Sequence, residues 1–375
     1  KFRGQINSNR FDAYVFDLQH QMNLKKLKSK ILIGGYLDVT QQGLVANYID
    51  IFKDTNINKF TSYTRKAIDS LITNYQTTIY NKAAYFNWIQ PITNRLRVNA
   101  TLRYDQFNYQ FKNKLATGTP SANNMFTNWA PKIGMTYNQL NWGGYVNYSE
   151  GFVPPQITEI YNAIRVPYLL PQSFSNYEIG SWVRIHNGYF EWSLYQLNGR
   201  NEIISVRQAD GVNLNQNTGQ TKHYGIEYQL KYNFSKLFQI NFNGSNAKHL
   251  YVNTILKGTD ISNKEMVAAP RFFSNLTVLS QWNSALSSSL EWQHQSGYFM
   301  DEINATRYPG FDVLNLRVNY SMKKHEFWLQ CLNLTDQFYA SMATKNFSVR
   351  GNNAYAYYLG DNRTIALGWR WNIIP

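Results

Sequence analysis

Hydrophobic and polar side chains alternate along this chain with a period of two. Over residues 95–104, Leu96, Val98, Ala100, Leu102 and Tyr104 take one side, and Arg95, Arg97, Asn99, Thr101 and Arg103 the other. Residues 222–232 repeat the scheme. Tyr224, Ile226, Tyr228, Leu230 and Tyr232 oppose His223, Glu227, Gln229 and Lys231. Near the end, Ile365, Leu367, Trp369, Trp371 and Ile373 oppose Thr364, Gly368, Arg370 and Asn372. Side chains repeat every two residues only on a strand, so the chain reads as β throughout. Arg97 and Arg103 would be costly in the dry core of a sandwich without partners, whereas a wet lumen accepts them. A one-sided antiparallel sheet fits the same alternation, and period alone leaves that choice open.

The connections narrow it. Short polar turns are expected near 23–29, 91–94, 139–141, 186–188, 233–236, 282–284 and 322–324. Long polar or aromatic connections are expected near 48–75, 111–127, 151–175, 199–218, 252–270, 299–309 and 340–363. The two kinds alternate without exception, with strands of about ten residues between them, the length that crosses a bilayer when tilted. Short turns at one end and long loops at the other are the pattern of an outer-membrane barrel. A propeller would need a recurring blade motif, which the chain lacks. The expected architecture is an all-β transmembrane antiparallel barrel with about fifteen strands in residues 1–375. Single-chain bacterial barrels have even strand numbers, so the remaining strands are expected to lie N-terminal to this segment.

Composition sharpens the picture. The chain holds 28 Tyr, 22 Phe and 10 Trp, and aromatic and charged residues each make up 16%. Soluble domains carry nearer ~25% charge, while interfacial rings suit a wall facing lipid. Mean hydropathy is −0.46, and no apolar run of ~20 residues is present for a transmembrane helix. The single Cys331 forms no internal disulfide, and no zinc-type Cys/His spacing occurs. The net charge of +14 admits nucleic acid, anionic lipid or an anionic ligand. The basic residues are scattered rather than gathered on one face, which argues against nucleic acid. Lys25, Lys26, Lys28 and Lys30 alone cluster, in a turn read as solvated.

Eight segments, in order, resemble the C-terminal barrel of TonB-dependent outer-membrane receptors. They are RLRVNATLRYDQF (95–107), NWAPKIGMTYN (128–138), NYSEGFVPPQITEIY (147–161), LLPQSFSNYEIG (169–180), NTGQTKHYGIEYQL (217–230), YPGFDVLNLRVNY (308–320), CLNLTDQFY (331–339) and RTIALGWRW (363–371). Gln172 stands where the family usually has Glu, and the chain ends Ile373-Ile374-Pro375 rather than on an aromatic residue. The resemblance implies a 22-strand barrel with an N-terminal plug; plug and first strands are not in this segment. It implies TonB-coupled import of a scarce nutrient across the outer membrane of a Gram-negative bacterium, a ferric siderophore first. Haem, cobalamin, other metal chelates and oligosaccharides remain alternatives. Phe152-Val153-Pro154 is similar to the Phe-Arg-x-Pro of haem receptors, but the Asn-Pro-Asn-Leu that should follow is missing. The expected partners are outer-membrane lipid, the TonB complex through the N-terminal region, and outer-membrane lipoprotein neighbours. A passive porin or a structural barrel subunit is the competing class.

No resident cofactor and no catalytic group is expected. Glu150 with Glu159, and Asp301 with Glu302, read as solvated or ligand-facing charges rather than acid pairs. The six His read as isolated, with His223 on the lumen face the most suggestive and His294 at an interface. Ligand contacts are expected from aromatic and Arg-bearing loops: Phe152, Tyr161, Arg165, Tyr168, Arg307, Tyr308, Tyr339, Arg350, Tyr355, Tyr357 and Tyr358. Rings stack on planar ligands, and guanidinium groups grip their oxygens. The lumen wall is expected from Arg97, Arg103, His223, Glu227, Lys231, Arg317 and Arg370.

Overall fold

A computed structural model describes residues 2–54, 56–57, 59–65, 71–161, 166–207, 213–256, 258–345 and 355–372. One antiparallel meander runs through them. It opens with β1 (Phe2–Leu24) and β2 (Ser29–Asp54), with a side strand β3 (Lys59–Arg65) added to the end of β2. It continues through β4 (Leu71–Pro91), β5 (Leu96–Asn113), β6 (Ala122–Asn138) and β7 (Trp142–Val153), then a single helical turn, α1 (Ile157–Ile160). Next come β8 (Gln172–Ile185), β9 (Gly188–Arg207), β10 (Asn213–Asn233) and β11 (Phe238–Tyr251). A small hairpin, β12 (Ile255–Leu256) with β13 (Thr259–Asp260), precedes β14 (Phe272–Gln281), β15 (Leu286–Phe299), β16 (Arg307–Met322) and β17 (His325–Leu332). A second hairpin, β18 (Ala340–Lys345) with β19 (Tyr355–Leu359), leads to β20 (Thr364–Trp371). Fifteen of these strands hydrogen-bond in sequence order, β1-β2-β4-β5-β6-β7-β8-β9-β10-β11-β14-β15-β16-β17-β20.

All seven expected short turns are present, at one end of the sheet. Three are held by the same device, a short side chain that satisfies the next free amides. Thr93 Oγ1 accepts from the amides of Arg95 and Leu96, Ser235 Oγ from those of Leu237 and Phe238, and Asn283 Oδ1 from those of Ala285 and Leu286.

Register puts the apolar sets side by side. Ile33 pairs with Phe86, Phe86 with Leu102, and Leu102 with Pro131. Further round, Ile179 pairs with Leu194 and Leu194 with Ile226. Phe16, Leu102, Ile133, Leu367 and Trp369 are all well exposed, which a soluble protein avoids and a lipid-facing belt requires. The opposite face carries Asp17, Arg103, Glu178, Glu227 and Arg317 and turns inward.

Most of the wall strands are longer than the expected ten residues, although β14 has ten and β17 and β20 eight each. β2 runs for 26 residues, and β1 pairs with it without interruption from Leu24↔Ser29 to Phe2↔Ile51. Backbone pairing needs a neighbouring strand rather than lipid, so the ladder continues into water where both faces become polar. Parts of the expected connections at 48–75, 111–127 and 199–218 are therefore strand.

Candidate functional site

The inward face carries four polar groupings, each spread over neighbouring strands. On β1, β2, β4 and β5, Tyr85 donates its hydroxyl to Asp17 at 2.9 Å. Arg103 forks onto Asp105 with two bonds of 2.8 Å, and its guanidinium lies over the rings of Tyr36 and Tyr85 at 5.6 and 5.8 Å. The Asp105 side chain is only 5% exposed, so the bidentate fork is what makes its charge tolerable there. On β7 to β11, a cavity of about 460 Å³ is lined in part by Tyr145, Glu178, Glu191, Ser193, Glu227 and Asn243. Tyr145 donates to Glu178 at 2.5 Å, and Tyr189 donates to Glu191. On β14 to β16, Glu291 accepts from Asn275 at 2.5 Å and Asn315 at 2.9 Å. Arg317 bonds Asn319 at 2.9 Å and lies over Trp328 at 4.9 Å, and Arg370 reaches Glu326 at 3.1 Å. Arg97 and Lys231 share this face, opposite Pro91 and Tyr189.

The fourth grouping corrects the reading of the histidines as isolated. His223 of β10 and His249 of β11 are cross-strand partners, with Nδ1 to Nδ1 at 2.7 Å. His223 Nε2 lies 2.9 Å from the Thr221 hydroxyl, which donates to Glu202 of β9. His249, Thr221 and Glu202 escaped sequence reasoning because their meeting depends on inter-strand register. The signal that could have found them is His223 and His249 at matching heights on strands joined by the 233–236 turn.

The expected ligand residues divide sharply. Tyr161 is buried: its ring stacks on Phe111 at 4.1 Å and 8°, and its hydroxyl donates to Asn124 at 2.6 Å. Burial pushes that hydroxyl well above the ordinary tyrosine pKa. Tyr161 anchors α1 into a cluster with Tyr75, Tyr109, Phe111 and Phe126. Tyr308 is buried against Tyr298 at 5.3 Å, and its hydroxyl accepts from the amide of Ala340 at 2.9 Å. Phe152 meets Phe107 edge-on at 6.0 Å, and Tyr339 lies 4.5 Å from Phe311. By contrast Tyr168, Tyr355, Tyr357 and Tyr358 are exposed, at 88%, 51%, 52% and 59%. Tyr355 and Tyr357 run parallel at 6.3 Å and 10°, with Lys345 Nζ 5.4 Å from the Tyr355 ring. Arg307 is exposed at the start of β16. Arg165 and Arg350 lie outside the described residues.

Two of the four acidic candidates serve the fold. Asp301 accepts from the amides of Ala305 and Thr306 at 2.8 Å each, and Glu159 from the amide of Gln156 at 2.7 Å. His294, on the outer face, bonds Asp312 at 2.8 Å. Among the described residues, no group of three or more His, Cys, Asp and Glu could enclose a metal ion.

The model of the TonB dependent receptor-like β-barrel family matches residues 2–353. The chain belongs to that family. Solved TonB-dependent receptors and transporters share its fold. The ferric yersiniabactin uptake receptor FyuA from Yersinia pestis superposes with a TM-score of 0.74 at 15% identity, over 99% of this chain and 55% of that one. The unliganded ferric citrate transporter FecA gives 0.77 at 16% identity, over 98% and 55%. The copper transporter OprC gives 0.71 at 13%, over 97% and 56%. The chain thus spans about half the length of the structures it matches. The family explains why fifteen antiparallel strands carry charge inward: the wall of a TonB-dependent barrel is built around an occupied, polar interior rather than a dry core.

Proposed function

We propose that this chain is the barrel domain, over residues 1–375, of an outer-membrane receptor of a Gram-negative bacterium that imports a ferric chelate with energy delivered through TonB. The family membership supports active uptake, and FyuA, FecA and OprC take up ferric yersiniabactin, ferric citrate and copper respectively. The observation that supports the reading is the pairing of two surfaces, the inner face of the large sheet and the loops and β18–β19 hairpin beyond it. A charged inner wall (Arg97, Arg103, His223, Glu227, Lys231, Arg317 and Arg370) lies below a mouth with exposed Tyr168, Arg307, Tyr355, Tyr357 and Tyr358. Aromatic faces with nearby cations recognise planar anionic ligands, and a net charge of +14 draws them in. The barrel does no covalent chemistry in this account. TonB engagement belongs to the rest of the receptor, and outer-membrane lipoproteins are candidate neighbours.

Growth of a deletion strain on single iron sources tests the proposal. Loss of growth on one ferric chelate is expected, and the same loss on removing TonB separates active uptake from a passive porin. Undiminished uptake of every ferric chelate tried would retire the iron assignment.

A further inference from the structure

The order of donors and acceptors along Glu202, Thr221, His223 and His249 fixes which nitrogen is left over. Thr221 spends its hydroxyl proton on the Glu202 carboxylate. It can then only accept from His223, so His223 Nε2 carries the proton and His223 Nδ1 holds a bare lone pair. The 2.7 Å contact is therefore a donation from His249 Nδ1–H. His249 Nε2 is left as an unprotonated lone pair. No described residue bonds it, and His249 is only half-buried on the inner face.

The backbone is shaped to build this chain. Asn201 adopts the left-handed conformation at φ 56°, and the β9–β10 register slips between Asn217 and Gly219 and again between Gly219 and Thr221. Bulges of this kind re-aim a side chain. Here the slip lays Glu202 across Gly199, where an added Cβ would stand 2.1 Å from Glu202 Oε1 and 2.6 Å from Thr221 Oγ1. Only glycine leaves the carboxylate its seat.

An imidazole whose second nitrogen donates to an oriented acceptor, backed by a carboxylate, is the usual dress of a metal-ligating histidine. No set of three donors surrounds it among the described residues, so the protein supplies one ligand and the metal must bring the rest. We propose that His249 Nε2 is a coordination point on the inner wall for a transition metal that arrives in a chelate with an open position. Such a chelate is a macrocycle or an incompletely wrapped complex. A ferric chelate that wraps its iron completely has no vacancy to offer. His223, Thr221 and Glu202 are positioning residues. The inference rests on the uptake reading and narrows its cargo.

The intact receptor, purified in detergent, is titrated with ferric porphyrin while the absorption spectrum reports imidazole ligation. Wild type is expected to shift the main band, and His249→Ala to abolish the shift. His223→Ala and Glu202→Gln are expected to weaken binding about 10–100-fold, as loss of a supporting shell does. Gly199→Ala, which displaces the carboxylate while keeping all four residues, is expected to do the same. The ferric complex of desferrioxamine, whose three hydroxamates saturate the iron, is expected not to compete, whereas the ferric complex of nitrilotriacetate, with positions open, competes. Far-UV circular dichroism and retention of the heat-resistant folded band show that each variant remains a barrel. An unchanged spectrum in a folded His249→Ala variant overturns the assignment, as does equal competition by the saturated chelate. Because binding is read on purified protein, it can fail while uptake stands, and uptake can fail while ligation stands.

Discussion

Around Arg103, the charged groups are matched within the wall: Asp105 fills the guanidinium fork, two rings cover it, and Tyr85 turns its hydroxyl to Asp17. Across the sheet, the chain from Glu202 to His249 uses similar parts but ends on a nitrogen that no described residue bonds. The mouth repeats the contrast. Tyr161 and Tyr308 are consumed by packing, while Tyr355 and Tyr357 face outward in parallel. Composition does not separate structural polar groups from functional ones. An open end to the hydrogen-bond chain is what marks the proposed site.

The contrast breaks most visibly at Tyr161. Tyr161→Ala removes a stacked ring and a buried hydrogen bond, and should cost the 154–171 segment about 3 kcal/mol of local stability. Protease nicking there, with the barrel intact, reads it. Arg103→Ala should follow at about 2 kcal/mol by urea unfolding in lipid vesicles. That is less than the ~3–5 kcal/mol of a fully buried pair because the Arg103 side chain is 34% exposed. Adding Asp105→Ala should restore part of the loss; no restoration would mean that the fork is not what stabilises this wall.

A weaker closed pair lies in the segment before β14. Arg271 hydrogen-bonds Glu265 and holds its carboxyl below the usual range. A depressed folded-state value stabilises the loop above the unfolded pKa of ~4.3, and that gain disappears as pH falls through the folded value. With Arg271 about half exposed, the effect should be about 0.5 kcal/mol. Faster hydrogen exchange over 261–271 below pH 4 than above pH 5, absent in Arg271→Gln, would confirm it. Smallest of all, the pair Tyr355→Ala with Tyr357→Ala should change barrel stability by less than ~0.5 kcal/mol, as exposed positions do. The same pair should weaken binding of an aromatic ferric chelate. Intact binding would make those rings mere surface.

The lower half of the barrel was legible because its rule is local. Strict alternation in 95–104 and 222–232 and the polar turns between strands state face and connection without distant information, and all seven turns stand where the pattern puts them. The upper half was not. Tyr161 and Tyr355 look alike in sequence, and only the fold decides that one stacks on Phe111 while the other stays in water. His223 drew notice as an inward residue, yet its partner depends on the β10–β11 register and its support on a bulge at Gly219. Strand length was misjudged for a related reason: hydrophobicity stops at the bilayer edge, while backbone pairing does not.

That overshoot determines where arriving cargo is first met. At ~3.3 Å per residue and a tilt near ~40°, the 26 residues of β2 rise roughly 65 Å, against an apolar band about 25 Å tall. On the β1–β2 side the wall therefore rises roughly 40 Å beyond the apolar band, whereas β14, β17 and β20, with 10, 8 and 8 residues, rise no higher than the band itself. Under the proposed import, a diffusing chelate meets this raised side first, and its descent begins before it reaches the membrane.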